Sequence, residues 1–267
     1  MNGVDKEISA AVCLHDKEEI RAFFSQNIPL HLYEIGDLDE FFWPYTTWHA
    51  LKDTDGLKAV VLLYTETSLP VLLALAEEPA YTRELLQSII PLLPGRYYAH
   101  LSPGLEDVFQ GSRKLVSHGR HYKMALTRTE LLDAVDVSRV IPLSLTDMED
   151  LARLYEQSYP GNWFVPRMLK TNQYFGIHGP RGLVSVAGIH VYSPTYKVAV
   201  LGNITTHPDS RGQGLGKAVT AKLCLSLLET VEHVGLNVKV DNEEAIRCYR
   251  KLGFEVIGTY EEWTAGL

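Results

Sequence analysis

The chain has little of what marks a metal centre, a disulfide scaffold or a membrane span. Its 267 residues include three cysteines, Cys13, Cys224 and Cys248. The number is odd and the spacing is not that of metal ligands, so they read as small core hydrophobes and imply neither disulfides nor a zinc site. Positive charge is also scarce: 25 Lys and Arg stand against 33 Asp and Glu, a formal charge of −8. Such a surface does not attract a phosphate backbone, which excludes nucleic acid as the expected partner. Long apolar runs are missing too. Residues 57–64 and 69–76 are broken by Lys58 and Pro70, whereas a bilayer takes about 20 apolar residues. Met1 to Glu7 shows no basic flank leading into an apolar stretch. The expected address is therefore the cytoplasm, with no membrane association.

What the chain does have is a periodic pattern that occurs twice, which predicts two domains, 1–133 and 134–267. In the second, 139–143 reads as a strand and 147–157 as an amphipathic helix with Met148, Leu151 and Leu154 on one side. Strands follow at 173–178, 183–192 and 196–206, separated by Gly179-Pro180-Arg181-Gly182 and Ser193-Pro194. After a Gly-rich loop, Leu215, Val219, Leu223 and Leu227 recur at helical spacing, and 234–240 is a strand. Asn242 then opens a helix as N-cap, with Glu243 and Glu244 in its first turn, Arg250 and Lys251 in its last and Gly253 beyond it. A final strand spans 254–262. The expected fold is α/β, a mixed sheet with helices on its faces.

The first half repeats this order in worn form. Strands are expected at 30–35, 57–65, 71–77, 97–101 and 121–126, and helices at 81–90 and 105–116. The aromatics Phe41, Phe42, Trp43, Tyr45 and Trp48 read mostly as packing between domains.

The chemistry concentrates at Arg211-Gly212-Gln213-Gly214-Leu215-Gly216-Lys217. A strand runs into a turn with three glycines and a helix starts at once. Glycine permits positive φ and close backbone approach, and a new helix presents unpaired N–H donors at the positive end of its dipole. That is an anion cradle suited to phosphate. A nucleotide-triphosphate loop is excluded, because Arg211 stands where its first glycine belongs and Ala218 follows Lys217. The dinucleotide pattern fails as well, since its last glycine would fall at 217.

Together with Asn242-x-x-Ala245-x-x-x-Tyr249-x-x-Leu252-Gly253-Phe254 about thirty residues on, the segment Arg211-x-x-Gly214-x-Gly216 resembles the GNAT superfamily of acetyl-CoA-dependent N-acyltransferases. The resemblance covers about half the chain, residues 140–263. The tandem layout, with a degenerate N-terminal GNAT copy, is similar to the glycine N-acyltransferase-like branch. It implies acetyl-CoA as co-substrate, no metal, and a small-molecule or peptide amine as acceptor. By the same resemblance the backbone of Ile204, Thr205 and Thr206 pairs with the pantetheine arm like an added strand. Arg211 and the loop Gly212, Gln213, Gly214, Leu215, Gly216 and Lys217 hold the pyrophosphate. The strand of Ile204 splays from that of Asn237, leaving a notch flanked by Asn237 and Asn242, with Ala245 small enough to let the arm pass. For both asparagines plain capping is the other reading.

Tyr249 shares a helix face with Asn242 by the i, i+3, i+4 rule and is the expected acid for the departing thiolate. The resemblance also implies a glutamate base on the strand before the loop, and 199–204 has none. Asn203 is the candidate to position a water instead, with His190, Glu261 and Glu262 as the other candidate bases and His207 as a cap of the turn. Cys248 points about 100° away from Tyr249 and lacks a paired histidine, so attack by the amine is direct, with no acyl-enzyme. Tyr159-Pro160-Gly161 with Trp163 and Phe164 either lines the acceptor pocket or fills the core. In the first half Glu77-Glu78-Pro79-Ala80 replaces the loop, so that copy is expected to have lost CoA binding and to serve as a wall or scaffold. One strand of the second sheet is missing after 262, and residues 121–126 are expected to cover that edge. A non-catalytic acyl-CoA sensor is the alternative reading: the missing carboxylate favours it and Tyr249 argues against it.

Overall fold

A computed structural model describes residues 10–180 and 182–266. Met1 to Glu7 and Arg181, to which the leader and one turn reading refer, lie outside the described residues. In chain order the elements are β1 (Ala10–Leu14), α1 (Lys17–Phe24), α2 (Leu32–Gly36), β2 (Thr46–Asp53), β3 (Gly56–Tyr64), β4 (Val71–Ala74), α3 (Pro79–Ile89), β5 (Arg96–Leu101) and β6 (Lys114–Leu126). Then follow β7 (Ile141–Pro142), α4 (Met148–Ser158), β8 (Phe175–Gly179), β9 (Gly182–Ser193), β10 (Val198–Thr206), α5 (Leu215–Leu228), β11 (His233–Lys239), α6 (Glu243–Lys251) and β12 (Phe254–Gly266).

The fold is mixed α/β, and one order of elements occurs twice. Strands run β1-β2-β3-β4-β5 in the first copy and β7-β8-β9-β10-β11 in the second. In each copy only the last pair is parallel, β4 with β5 and β10 with β11. A parallel pair needs a crossover, which α3 and α5 supply.

The compact units do not coincide with the expected cut at 133. Unit 1 holds the chain up to His121 together with the stretch from Gly258 onward, and unit 2 runs from Tyr122 to Ile257. The reason lies in β6 and β12, each of which is divided between the units. Within unit 1 the end of β12 lies between β5 and the start of β6, with Glu262 opposite His100 and His118 hydrogen-bonded to Thr264. Within unit 2 the end of β6 lies between β11 and the start of β12, where Thr127 N–H donates to the Gly253 carbonyl at 3.0 Å. Residues 122–126 thus fill the position that the second half's own sequence leaves open.

Three first-half expectations are corrected. Residues 30–35 form no strand. Leu32, Glu34, Ile35 and Gly36 are buried on a short helix, and His31 meets Glu34 at 3.2 Å across an i,i+3 step, so a helical period won over alternation. The helix expected at 105–116 is a single 3₁₀ turn, Leu105–Phe109, and β6 begins soon after Gly111 turns the chain at φ 78°. The aromatic run packs inside unit 1: Trp43 stacks on Trp48 at 6.1 Å, and Phe24 also meets Trp48. Their strand, β2, went unread because it opens amid those aromatics.

Each unit has its own apolar core. In unit 2, α5 buries Leu215, Val219, Leu223, Cys224 and Leu227. The strongly amphipathic α6 is capped as expected: the Asn242 side chain accepts from Ala245 N–H at 3.2 Å, and Gly253 follows at φ 96°. A β-carbon on Gly253 would lie 2.1 Å from the Arg128 carbonyl oxygen, so only glycine fits there.

Candidate active site

The site begins where a ladder stops. β10 and β11 pair in parallel from Val198 with His233 to Leu201 with Leu236, yet β10 continues to Thr206 and β11 to Lys239. Past that point the strands part. The cause is local to β10, whose pairing with β9 shifts between Val200 and Leu201 and again between Gly202 and Thr205. Asn203, inside the second shift, has φ 56°. Ile204, Thr205 and Thr206 therefore turn one backbone edge to β9 and leave the other to the notch, with Asn237 on the opposite strand. Among the described residues the Asn237 carboxamide makes no hydrogen bond.

At the foot of the notch stands the glycine loop. Gly212 and Gly214 have φ 75° and 76°, and a β-carbon on either would meet nothing within 4 Å. Gly214 is the N-cap of α5 and brings no side chain to the helix end. Among the described residues no backbone N–H from Gly212 to Lys217 has an acceptor in the protein. Helix starts normally satisfy these donors, so a consecutive set without acceptors makes this loop a candidate anion site. Arg211 is turned back, its Nε donating to the Thr206 carbonyl at 3.2 Å. These residues fit the pyrophosphate and pantetheine of an acyl-CoA.

Tyr249 lies on α6, half-buried, with its ring edge-on to Phe254 at 6.0 Å. Its hydroxyl makes no hydrogen bond among the described residues. Burial, then the neighbouring Cys248, Tyr159 and Cys224, push the phenol above its ordinary pKa. It therefore carries its proton at neutral pH, as an acid must. Cys248 stays a thiol for the same reason: burial raises it and outweighs the opposing pull of Lys217 and Lys251. Asn242 is exposed and occupied as a cap, and Ala245 is half-buried on the turn after it.

Asn203 is buried, its carboxamide N–H donating to the Tyr174 hydroxyl at 3.0 Å while Oδ1 takes no hydrogen bond among the described residues. His190 lies across Gly202, whose absent side chain makes room for the imidazole. Glu261 and Glu262 belong to unit 1 and do not share a unit with Tyr249. There Glu261 stands 3.4 Å from Arg120, and Glu262 accepts from the hydroxyls of Tyr98 and Tyr260. His207 accepts from Asp209 N–H at 3.3 Å and caps the turn. Phe164 packs between Tyr155 and Tyr174 at 5.4 and 5.5 Å, so this aromatic fills core. Tyr155 and Tyr174 were invisible as site residues in the sequence, where each reads only as one more apolar position.

Unit 1 has the matching strands but no notch. β4 and β5 stay paired to their ends at Ala74 and Leu101, and Ser102 then ties them further, its N–H donating to Ala74 O and its Oγ to Ala76 O. At the start of α3, Pro79 brings no N–H and Glu77 is taken by Asn27.

Comparison with known proteins bears on the fold. The FR47-like protein family matches residues 189–264. A tandem GNAT protein from the clavulanic acid biosynthesis pathway has the same architecture, with a TM-score of 0.56 over 96% of this chain and 98% of that one at 15% identity. The fold is that of the GNAT acetyltransferases. A Drosophila protein of the same fold aligns over 98% of this chain and 99% of its own, with a TM-score of 0.69 at 12% identity. In sequence, 74 residues are 42% identical to mycothiol acetyltransferase of Saccharomonospora viridis, 27% of this chain and 23% of that relative. The chain thus spans under a quarter of that relative's length. Among the described residues no helix is long and apolar enough to cross a membrane.

Proposed function

We propose that this chain transfers an acetyl or similar acyl group from CoA to the primary amine of a small molecule or peptide, with unit 2 as the catalytic GNAT domain. The observation that carries the reading is the consecutive set of unclaimed N–H donors from Gly212 to Lys217 at the foot of the parted strands. The acetyltransferase name of the matched relative supports acetyl as the group moved. The closed β4–β5 pair and the acidic Glu77-Glu78 support a scaffold role for unit 1, a tandem layout similar to the glycine N-acyltransferase-like branch.

Bound acyl-CoA supplies an activated thioester carbonyl. The backbone from Ile204 to Thr206 orients the pantetheine arm, Asn237 and Asn242 flank it, and the loop with Lys217 holds the diphosphate, while Arg211 braces the end of β10 through the Thr206 carbonyl. The neutral amine attacks the carbonyl directly, and backbone N–H groups along the notch polarise its oxygen. Tyr249 holds its proton at Oη and gives it to the departing sulfur. The proton lost by the amine passes to water; the Asn203 carboxamide, anchored on Tyr174 with Oδ1 buried, supports the strand that borders the notch.

Millimolar CoA should raise the melting temperature of the wild type by binding the native state. Gly214→Val, which forces a β-branched residue to positive φ, should lose that shift. A shift in the wild type together with thiol release from acetyl-CoA in a panel of amines is the expected result. No shift would remove the CoA reading, and a shift without thiol release for any amine would make the chain a binding module.

A further inference from the structure

The parting of β10 from β11 is held from behind. Asn203 sits at φ 56°, a conformation asparagine tolerates better than most residues but that still needs support. Three hydrogen bonds supply it. The Tyr155 hydroxyl, from α4, donates to the Asn203 carbonyl at 3.0 Å. The Asn203 carboxamide donates to the Tyr174 hydroxyl at 3.0 Å, and that hydroxyl donates on to the Ile189 carbonyl of β9 at 3.0 Å. Burial raises both phenols above their ordinary range, so both keep the proton they donate at neutral pH. Gly188 makes the seat for Tyr174: a β-carbon there would lie 2.1 Å from the ring.

The residue is a poor choice for stability alone. Asn203 is 2% exposed and its Oδ1 is unpartnered among the described residues, whereas buried polar atoms are normally paired. Geometry explains its presence. Unit 1 provides the contrast, since β4 holds no residue at positive φ among those described and its ladder with β5 runs to the end.

We infer that Asn203, clamped by Tyr155 and Tyr174, is the positioning residue that keeps the notch open, and that this clamp sets the affinity for acyl-CoA. The inference rests on the CoA reading above. Replacing the residue by alanine forces β10 toward ordinary strand geometry and toward renewed pairing with β11. Glycine keeps positive φ available and loses only the carboxamide anchor.

The test measures CoA dissociation constants by titration calorimetry, with melting temperatures, on the full chain. Asn203→Ala should weaken CoA about thirtyfold, Asn203→Gly clearly less, and Tyr155→Phe about tenfold. Leu223→Ala, a cavity in the same unit far from the clamp in sequence, should lower the melting temperature and leave the dissociation constant within about twofold. If Asn203→Ala does not fold, the ordering of Tyr155→Phe against Leu223→Ala decides. Folded clamp variants that bind CoA like a CoA-binding wild type overturn the inference and spare the function. A wild type that does not bind CoA overturns both.

Discussion

A β-carbon placed on Gly216 would stand 3.2 Å from the Thr206 hydroxyl. That hydroxyl cannot easily retreat, because it is hydrogen-bonded to Ser185 Oγ at 2.8 Å. The end of β10 and the first turn of α5 are therefore spaced by the absence of one methyl group. Gly216→Ala should push the loop off the strand and weaken CoA about three- to tenfold with little change in melting temperature. Gly216→Ala with Thr206→Ala should recover part of the loss, a coupling that a double-mutant cycle on CoA affinity measures. Additive effects would show that the contact does not shape the cradle.

Tyr249→Phe removes one hydroxyl and keeps the ring against Phe254. The turnover number should fall about 10²- to 10⁴-fold with CoA affinity nearly unchanged. Because its pKa is raised, the phenol of the wild type stays protonated through the ordinary tyrosine range. Loss of activity by its deprotonation should then begin only above pH 10. Equal turnover of the phenylalanine variant would take Tyr249 out of the mechanism.

Glu262 gives a prediction about stability. Burial alone would raise its pKa, but His100 and His121 at 3.5 and 3.4 Å, with the hydroxyls of Tyr260 and Tyr98, outweigh it and hold the carboxyl below its usual value. The folded value lies under the unfolded one, so this stabilisation is present above about pH 4.5 and fades as pH falls through the folded pKa. Glu262→Gln should lower the melting temperature at pH 7, and the gap to wild type should narrow in melts taken toward pH 3. A gap independent of pH would contradict the assignment.

Residues 134–267 made alone should be insoluble, or folded without CoA binding, although they hold every residue assigned to CoA. They lack 122–126, which sit beside β11 in unit 2, and they leave the end of β12 without the strands that flank it in unit 1. Exposed strand edges of this kind invite aggregation. A soluble fragment with full CoA affinity and turnover would show that the first half is dispensable.

The sequence by itself determined the elements whose signals are local. Asn242, the charges that follow it and Gly253 bounded α6 without help, because capping acts over four residues. The glycines after β10 announced an anion cradle because positive φ and naked N–H groups are properties of a few consecutive residues. Tertiary structure decided everything that depends on who lies next to whom. Residues 30–35 became helical because their neighbours buried an i,i+3 pair. The tails of β6 and β12 took places that alternation alone cannot assign, since a strand's period names its faces and not its partners. The notch needed both: Asn203 was visible in the sequence, but its left-handed turn is held by Tyr155, 48 residues away, and by Tyr174, 29 away, and contacts at that distance leave no trace in local pattern.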